Sequence, residues 1–166
     1  GGQVRSRMFP LLARAAVGIG LLAASAGSAL ALDPVQIESA RGFDDTVQQL
    51  QWALGGFGIT TVAAMDYREI MKKMKVDSGR AVVFEVMRRE WARRLLAEDP
   101  ALGILMPVRV YVYENATATT FVSYAPIGAQ TEGHPAEAMR ALGRQIDEKL
   151  REIVNQATLG AESVDR

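Results

Sequence analysis

The sequence predicts an α+β domain, and three observations carry that prediction. Val108 to Glu114 alternates strictly, with Val108, Val110 and Val112 on one side and Arg109, Tyr111 and Tyr113 on the other. That is the period-two pattern of a half-buried strand. A second strand-like run follows the turn "NATA" at 115–118, as in a hairpin. Helical and strand patterns also occur in mixed order along the chain, which argues against a doubly wound parallel sheet.

The order begins with a leader. From Met8, the segment "MFPLLARAAVGIGLLAASAGSALA" places Arg14 before a small, apolar stretch, and Ala29 and Ala31 then form an A-x-A-like exit. This is the order of a secretory signal peptide. The apolar run is short for a membrane span of about 20 residues, although an uncleaved anchor is the competing reading. Residues 1–31 are therefore expected to be a signal peptide, 32–154 a single domain and 155–166 a loose tail. The expected location is periplasmic or secreted, with no membrane association after cleavage.

Removing Arg5, Arg7 and Arg14 with the leader takes the formal charge from zero to −3. A mildly acidic domain has no electrostatic reason to bind nucleic acid or anionic lipid. The chain has no cysteine, which excludes disulfides, thiolate metal sites and thioether-attached haem.

Within the domain, Val35 to Ser39 alternates as a short strand. Asp44 and Asp45 open a helix, and Phe43, Val47, Leu50 and Leu54 recur at helical spacing. Gly55 and Gly56 are expected to end it. Gly58 to Met65 reads as a strand. Asp66, with Glu69 three residues on, is a capping-box start for a short helix, whose apolar side is Tyr67, Ile70, Met71 and Met74. The turn "DSG" at 77–79 leads to a β-branched strand, Arg80 to Val86, and a helix follows from Arg88 to Ala97. Trp91, Leu95 and Val110 are expected in the core. Pro107 suits the first residue of a strand because it lacks an amide donor. After the hairpin, Gly128 to Gly133 reads as a polar loop. Pro135 opens a last helix with the stripe Met139, Leu142, Ile146, Leu150 and Ile153.

Two segments carry a family resemblance. "FDDTVQQLQWALGGFGI" and "FEVMRREWARRLLAEDPALGILMPVRVYVYEN" resemble the opening helix and the central segment of the domain of unknown function 302 family. The resemblance covers about Val35 to Ala125. It implies a TATA-binding-protein-like α+β fold, with one antiparallel sheet and helices on one face, and it implies dimers. It implies no activity. The chain departs from the family pattern at Met87-Arg88, where Asn-Pro is usual, and at Val108, where many members have cysteine. A redox or metal role resting on that cysteine does not carry over.

No chemistry motif stands out. His134 is the only histidine, and no G-x-S-x-G elbow or thiol accompanies it. The mature chain's methionines fit apolar stripes, where they fill gaps. Arg88, Arg89, Arg93 and Arg94 are interleaved with acids, as on a solvated helix face. The expected function is thus an exported binding or interaction module without catalytic machinery, without cofactor and dimeric. The alternative is a periplasmic copper protein, or an enzyme using His134 and Arg109 with nearby carboxylates.

One surface is singled out. If "NATA" is a four-residue loop, Glu114 pairs with Thr119. Arg109 then lies opposite Tyr124, Tyr111 opposite Val122 and Tyr113 opposite Thr120, while Val112 and Val110 face Phe121 and Ser123 on the core side. A one-residue change in loop length would pair Arg109 with Ser123. Helices suffice to cover only one side of the sheet. The other would expose Arg109, Tyr111, Tyr113, Tyr124, Val122, Val83 and Glu85, the composition of an interface or ligand site. This face is expected to form a homodimer contact or a wall of a ligand pocket, with Arg109 as polar anchor.

Overall fold

The structure is a computed structural model and describes residues 33–159. The expected signal peptide and the last seven residues of the expected tail lie outside the described residues. Five strands form one antiparallel sheet: β1 (Val35–Glu38), β2 (Thr60–Asp66), β3 (Ala81–Met87), β4 (Val108–Glu114) and β5 (Thr120–Tyr124). Their spatial order is β1-β5-β4-β3-β2, so β4 is central and β2 is an edge. The helices are α1 (Phe43–Gly56), α2 (Tyr67–Lys73), α3 (Arg89–Glu98), α4 (Ile127–Thr131) and α5 (Glu137–Thr158), and a 3-10 turn spans Pro100–Leu105. Among the described residues, no helix is long and apolar enough to cross a membrane.

One face of the sheet and three helices make the core. Phe84 and Val86 of β3, Val108, Val110 and Val112 of β4, and Val122 and Tyr124 of β5 are buried there. They pack with Leu50 and Leu54 of α1, Trp91 and Leu95 of α3, and the full α5 stripe of Met139, Leu142, Ile146, Leu150 and Ile153. The periodicities place these helices because each buries one stripe against a pleated face. Asp66 caps α2 as the capping pattern predicts, its carboxylate accepting the Glu69 N–H at 3.0 Å.

The hairpin differs from expectation in register, with consequences for the site. Glu114 pairs with Thr120, Tyr113 with Phe121, Val112 with Val122, Tyr111 with Ser123 and Val110 with Tyr124. The loop is closed by the Asn115 N–H donating to Thr119 O at 3.0 Å, and the Ala118 N–H donates to Asn115 O at 3.0 Å. Ala118 takes φ +59. This is a three-residue loop, a type I turn followed by a left-handed residue. The Asn115 side chain holds it, accepting the N–H groups of Thr117 at 3.0 Å and Thr119 at 2.9 Å. A loop one residue shorter slides β5 by one, and a one-residue slip moves every side chain to the other face. Val122 and Tyr124 therefore lie in the core, and Phe121 and Ser123 lie on the open face.

Three smaller corrections follow. Residues 127–131 form α4 where a polar loop is expected. The Asp147 carboxylate of α5 accepts the Ile127 and Gly128 N–H groups at 2.7 and 2.8 Å, a start signal that comes from twenty positions downstream. Helix α5 continues through 155–158, where Ala157 and Thr158 are buried, so the tail cannot begin at 155. The left-handed glycine after α1 is Gly58, φ +68, and Gly55 and Gly56 are still helical.

Candidate functional site

The face away from the long helices is built from alternate residues of every strand. Pairing places Glu85 opposite Arg109 and Val83 opposite Tyr111. It also places Ser123 opposite Tyr111 and Phe121 opposite Tyr113. The chain then adds a residue that the sequence reading assigns to the apolar side of α2. Because Asp66 starts that helix directly at the end of β2, Tyr67 lands over the sheet. Its ring lies 5.6 Å from that of Tyr111, tilted by 60°. Tyr111 stacks on Tyr113 at 5.1 Å, and Tyr113 on Phe121 at 5.4 Å. A row of four rings thus runs from α2 across β4 to β5. Such pairs contribute about 0.5–1.5 kcal/mol each beyond their burial.

Beside this row is a concavity of about 350 Å³, lined by Tyr67, Tyr111, Val83, Arg109 and Ser123, with Pro34, Tyr124 and Ala125 at its end. Its volume lies in the lower range of small-molecule sites, about 300–1,000 Å³. Val83 forms an apolar base and is only 3% exposed, so α2 and the tyrosines shield this part of the open face. Burial raises the Tyr111 phenol pKa, and its neighbours Tyr67 and Tyr113 add to the rise. The phenol is therefore a neutral donor and acceptor at ordinary pH.

Arg109 stands on the rim with its side chain 57% exposed, its Nε 3.7 Å from Glu85 Oε1. Its Nη2 donates to Tyr67 Oη at 3.5 Å, at the outer limit of a hydrogen bond. Four of the five residues singled out from sequence, Arg109, Tyr111, Tyr113 and Glu85, thus share this face. Tyr124 does not: it is 3% exposed, on the core side of β5. Burial raises its phenol pKa, Arg151 opposes that rise and Asp147 adds to it. Tyr67, Phe121 and Ser123 are the members that sequence reasoning missed. The capping box was the available signal for Tyr67, since it fixes the residue that follows the strand.

His134 is engaged elsewhere. Its Nδ1 accepts the Ala136 N–H at 3.1 Å at the start of α5, and its carbonyl accepts from Arg140. None of its hydrogen bonds reaches the open face. Among the described residues no three His, Asp or Glu side chains gather as a metal-binding group. A larger concavity of about 780 Å³ lies between α1, α2 and the segment before β3. It is lined by four acids, Asp44, Asp66, Glu69 and Asp77, and four cations, Arg68, Lys72, Lys75 and Arg80. Asp44 is already tied to Arg80 and Asp66 to the start of α2, so these charges do not converge on a point.

Comparison with known proteins places this geometry in a family. A family model described as domain of unknown function DUF302 matches residues 35–157. The crystal structure of an uncharacterized conserved DUF302 protein from Bacillus stearothermophilus superposes with a TM-score of 0.69. The two are 19% identical, and the match covers 75% of this chain and 97% of that one. At that identity the likeness is one of fold. No curated protein matches the chain.

Proposed function

The chain belongs to the DUF302 family, a domain of unknown function, and from its site we propose that it is an exported binding module that holds a small ligand on the open sheet face, with Arg109 as polar anchor. The observation that carries this reading is the concavity between Tyr67 and Tyr111, with Arg109 at its rim and Val83 beneath. A flat sheet face would suit a broad protein contact. Tyr67 leaning across the sheet instead makes a walled recess, apolar with few polar groups, the usual form of a ligand site. Those polar groups are a guanidinium and hydroxyls, and the nearby Glu85 carboxylate is already paired to the guanidinium, a set suited to holding rather than to proton transfer. The open face carries Glu85 next to its arginine and Glu38 on the β1 edge opposite Phe121, which disfavours a polyanion. The architecture, one antiparallel sheet with long helices on one side, is read as TATA-binding-protein-like.

Native mass spectrometry of the exported protein tests the reading. The wild type should carry a co-purified small molecule that Tyr111→Ser and Arg109→Ala release. A molecule retained equally by both variants would contradict it. Export itself rests on the leader's charged, apolar, small-residue order, and N-terminal sequencing of the exported chain should begin at Leu32.

A specific observation supports a second proposal, that two copies associate through the β2 edge. The seven residues of β2 carry no charge before Asp66, and Val62 is 52% exposed. The ladder is irregular between Thr61 and Ala63, but no charge or proline covers the edge from Thr60 to Met65, and such an edge strand is a template for pairing. An antiparallel match centred on Ala63 would oppose no like charges. Sedimentation should then find a dimer, and Val62→Lys a monomer. A monomeric wild type would end this proposal and leave the pocket untouched.

A further inference from the structure

We infer that the ligand of the open face is a one- or two-ring planar aromatic carboxylate, its ring against Tyr67 and Tyr111 and its carboxylate on Arg109 and Ser123. This rests on the binding reading above and adds the ligand's chemistry. A guanidinium offers five N–H donors in a planar fork. Among the described residues Arg109 uses one of them, in the long bond to Tyr67 Oη. Glu85, at 3.7 Å from Nε, is beyond hydrogen-bond distance and holds the group electrostatically from that side. The Nη side, next to the cavity-lining Tyr67 hydroxyl, is thereby oriented with donors to spare. A planar oxyanion is the partner that fits such a fork.

The remaining walls define the rest of the molecule. Ser123 lines the same concavity, and its hydroxyl makes no hydrogen bond to another described residue. It supplies a second donor, across the strand pair from Tyr111. Tyr67 and Tyr111 present ring surface at an angle of 60°, and Val83 and Ala125 offer no polar group. A flat apolar body between such rings gains offset or edge-to-face contact. About 350 Å³ admits one or two rings and excludes larger polycycles or a polymer.

Calorimetric titration with benzoate and with benzamide, its neutral analogue of like shape, tests the inference. The wild type should bind benzoate about tenfold more tightly than benzamide, as hydrogen bonds to a charged group require. Arg109→Ala should equalise the two, and Tyr111→Ser should weaken both. Arg109 is exposed, so its removal leaves the fold intact, and a thermal melt of each variant verifies that. Equal binding of both probes by the wild type, still lost in Tyr111→Ser, would overturn the carboxylate and keep the pocket. Binding of neither probe would overturn the ligand class, while the co-purified molecule independently decides the binding reading.

Discussion

Tyr67, the first residue of α2, rests its ring on Tyr111 of the central strand at 5.6 Å and 60°. This contact turns one end of an open sheet face into a recess. Tyr67→Ala and Tyr111→Ala, with the double variant, should show a coupling of about 0.5–1.5 kcal/mol in urea denaturation. Strict additivity would mean that the two rings do not interact and that the wall is not built as described.

The Tyr111 phenol should titrate late. Burial is the main cause, and charge on Tyr67 and Tyr113 adds to it. A phenol whose folded pKa is raised contributes stability that is fully present below the unfolded value, about 10. That contribution is lost as pH rises through the folded value, because the unfolded chain gives up its proton first. An ultraviolet titration of wild type beside Tyr111→Phe should show one late phenol missing in the variant, with a shallower alkaline loss of stability. Identical curves for the two proteins would refute the burial argument.

Ala118 closes the β4–β5 hairpin at φ +59, where an L side chain costs about 1–2 kcal/mol. Ala118→Gly should therefore stabilise the domain, by about 1 kcal/mol after the glycine's larger unfolded-state entropy is subtracted. A loss of stability would argue for the four-residue loop and the other register.

That loop is where sequence and structure part. Periodicity suffices for most of the long elements: α1 and α5 bury the stripes that their spacing predicts, α3 buries Trp91 and Leu95 but leaves Leu96 50% exposed, and β4 points Arg109, Tyr111 and Tyr113 away from the core. A hairpin's register depends on loop length, and "ENATATTF" allows two lengths that differ by one residue. The choice depends on Asn115 gathering the Thr117 and Thr119 N–H groups, which composition does not reveal. Tyr124 was consequently misassigned, and Phe121 and Ser123 were missed. Helix α4 was illegible for another reason, since its N-terminal partner is Asp147, on a different helix.

Helices α4 and α5 approach closely at Gly128 and Gly143. A Cβ on Gly143 would stand 2.9 Å from the Gly128 Cα, so Gly143→Ala should force the helices apart and cost about 1–3 kcal/mol. Gly55 of α1 has open space around it, and Gly55→Ala should instead add about 0.5–1 kcal/mol through helix propensity. Equal effects from the two substitutions would contradict the close packing at Gly143.

The chain has four tyrosines, and their placement makes one measurement decisive for the binding site. Tyr67, Tyr111 and Tyr113 line the open face, while the Tyr124 ring is in the core. Protein labelled only at tyrosine gives four ring signals by NMR, three reporting the face and one the interior. On addition of benzoate, or of any molecule that co-purifies with the protein, Tyr67 and Tyr111 should shift most, and Tyr124, whose ring lies in the core and which borders the recess only at its end, should shift least. Saturable binding with all three face signals unmoved would place the ligand elsewhere and contradict the open face as the site.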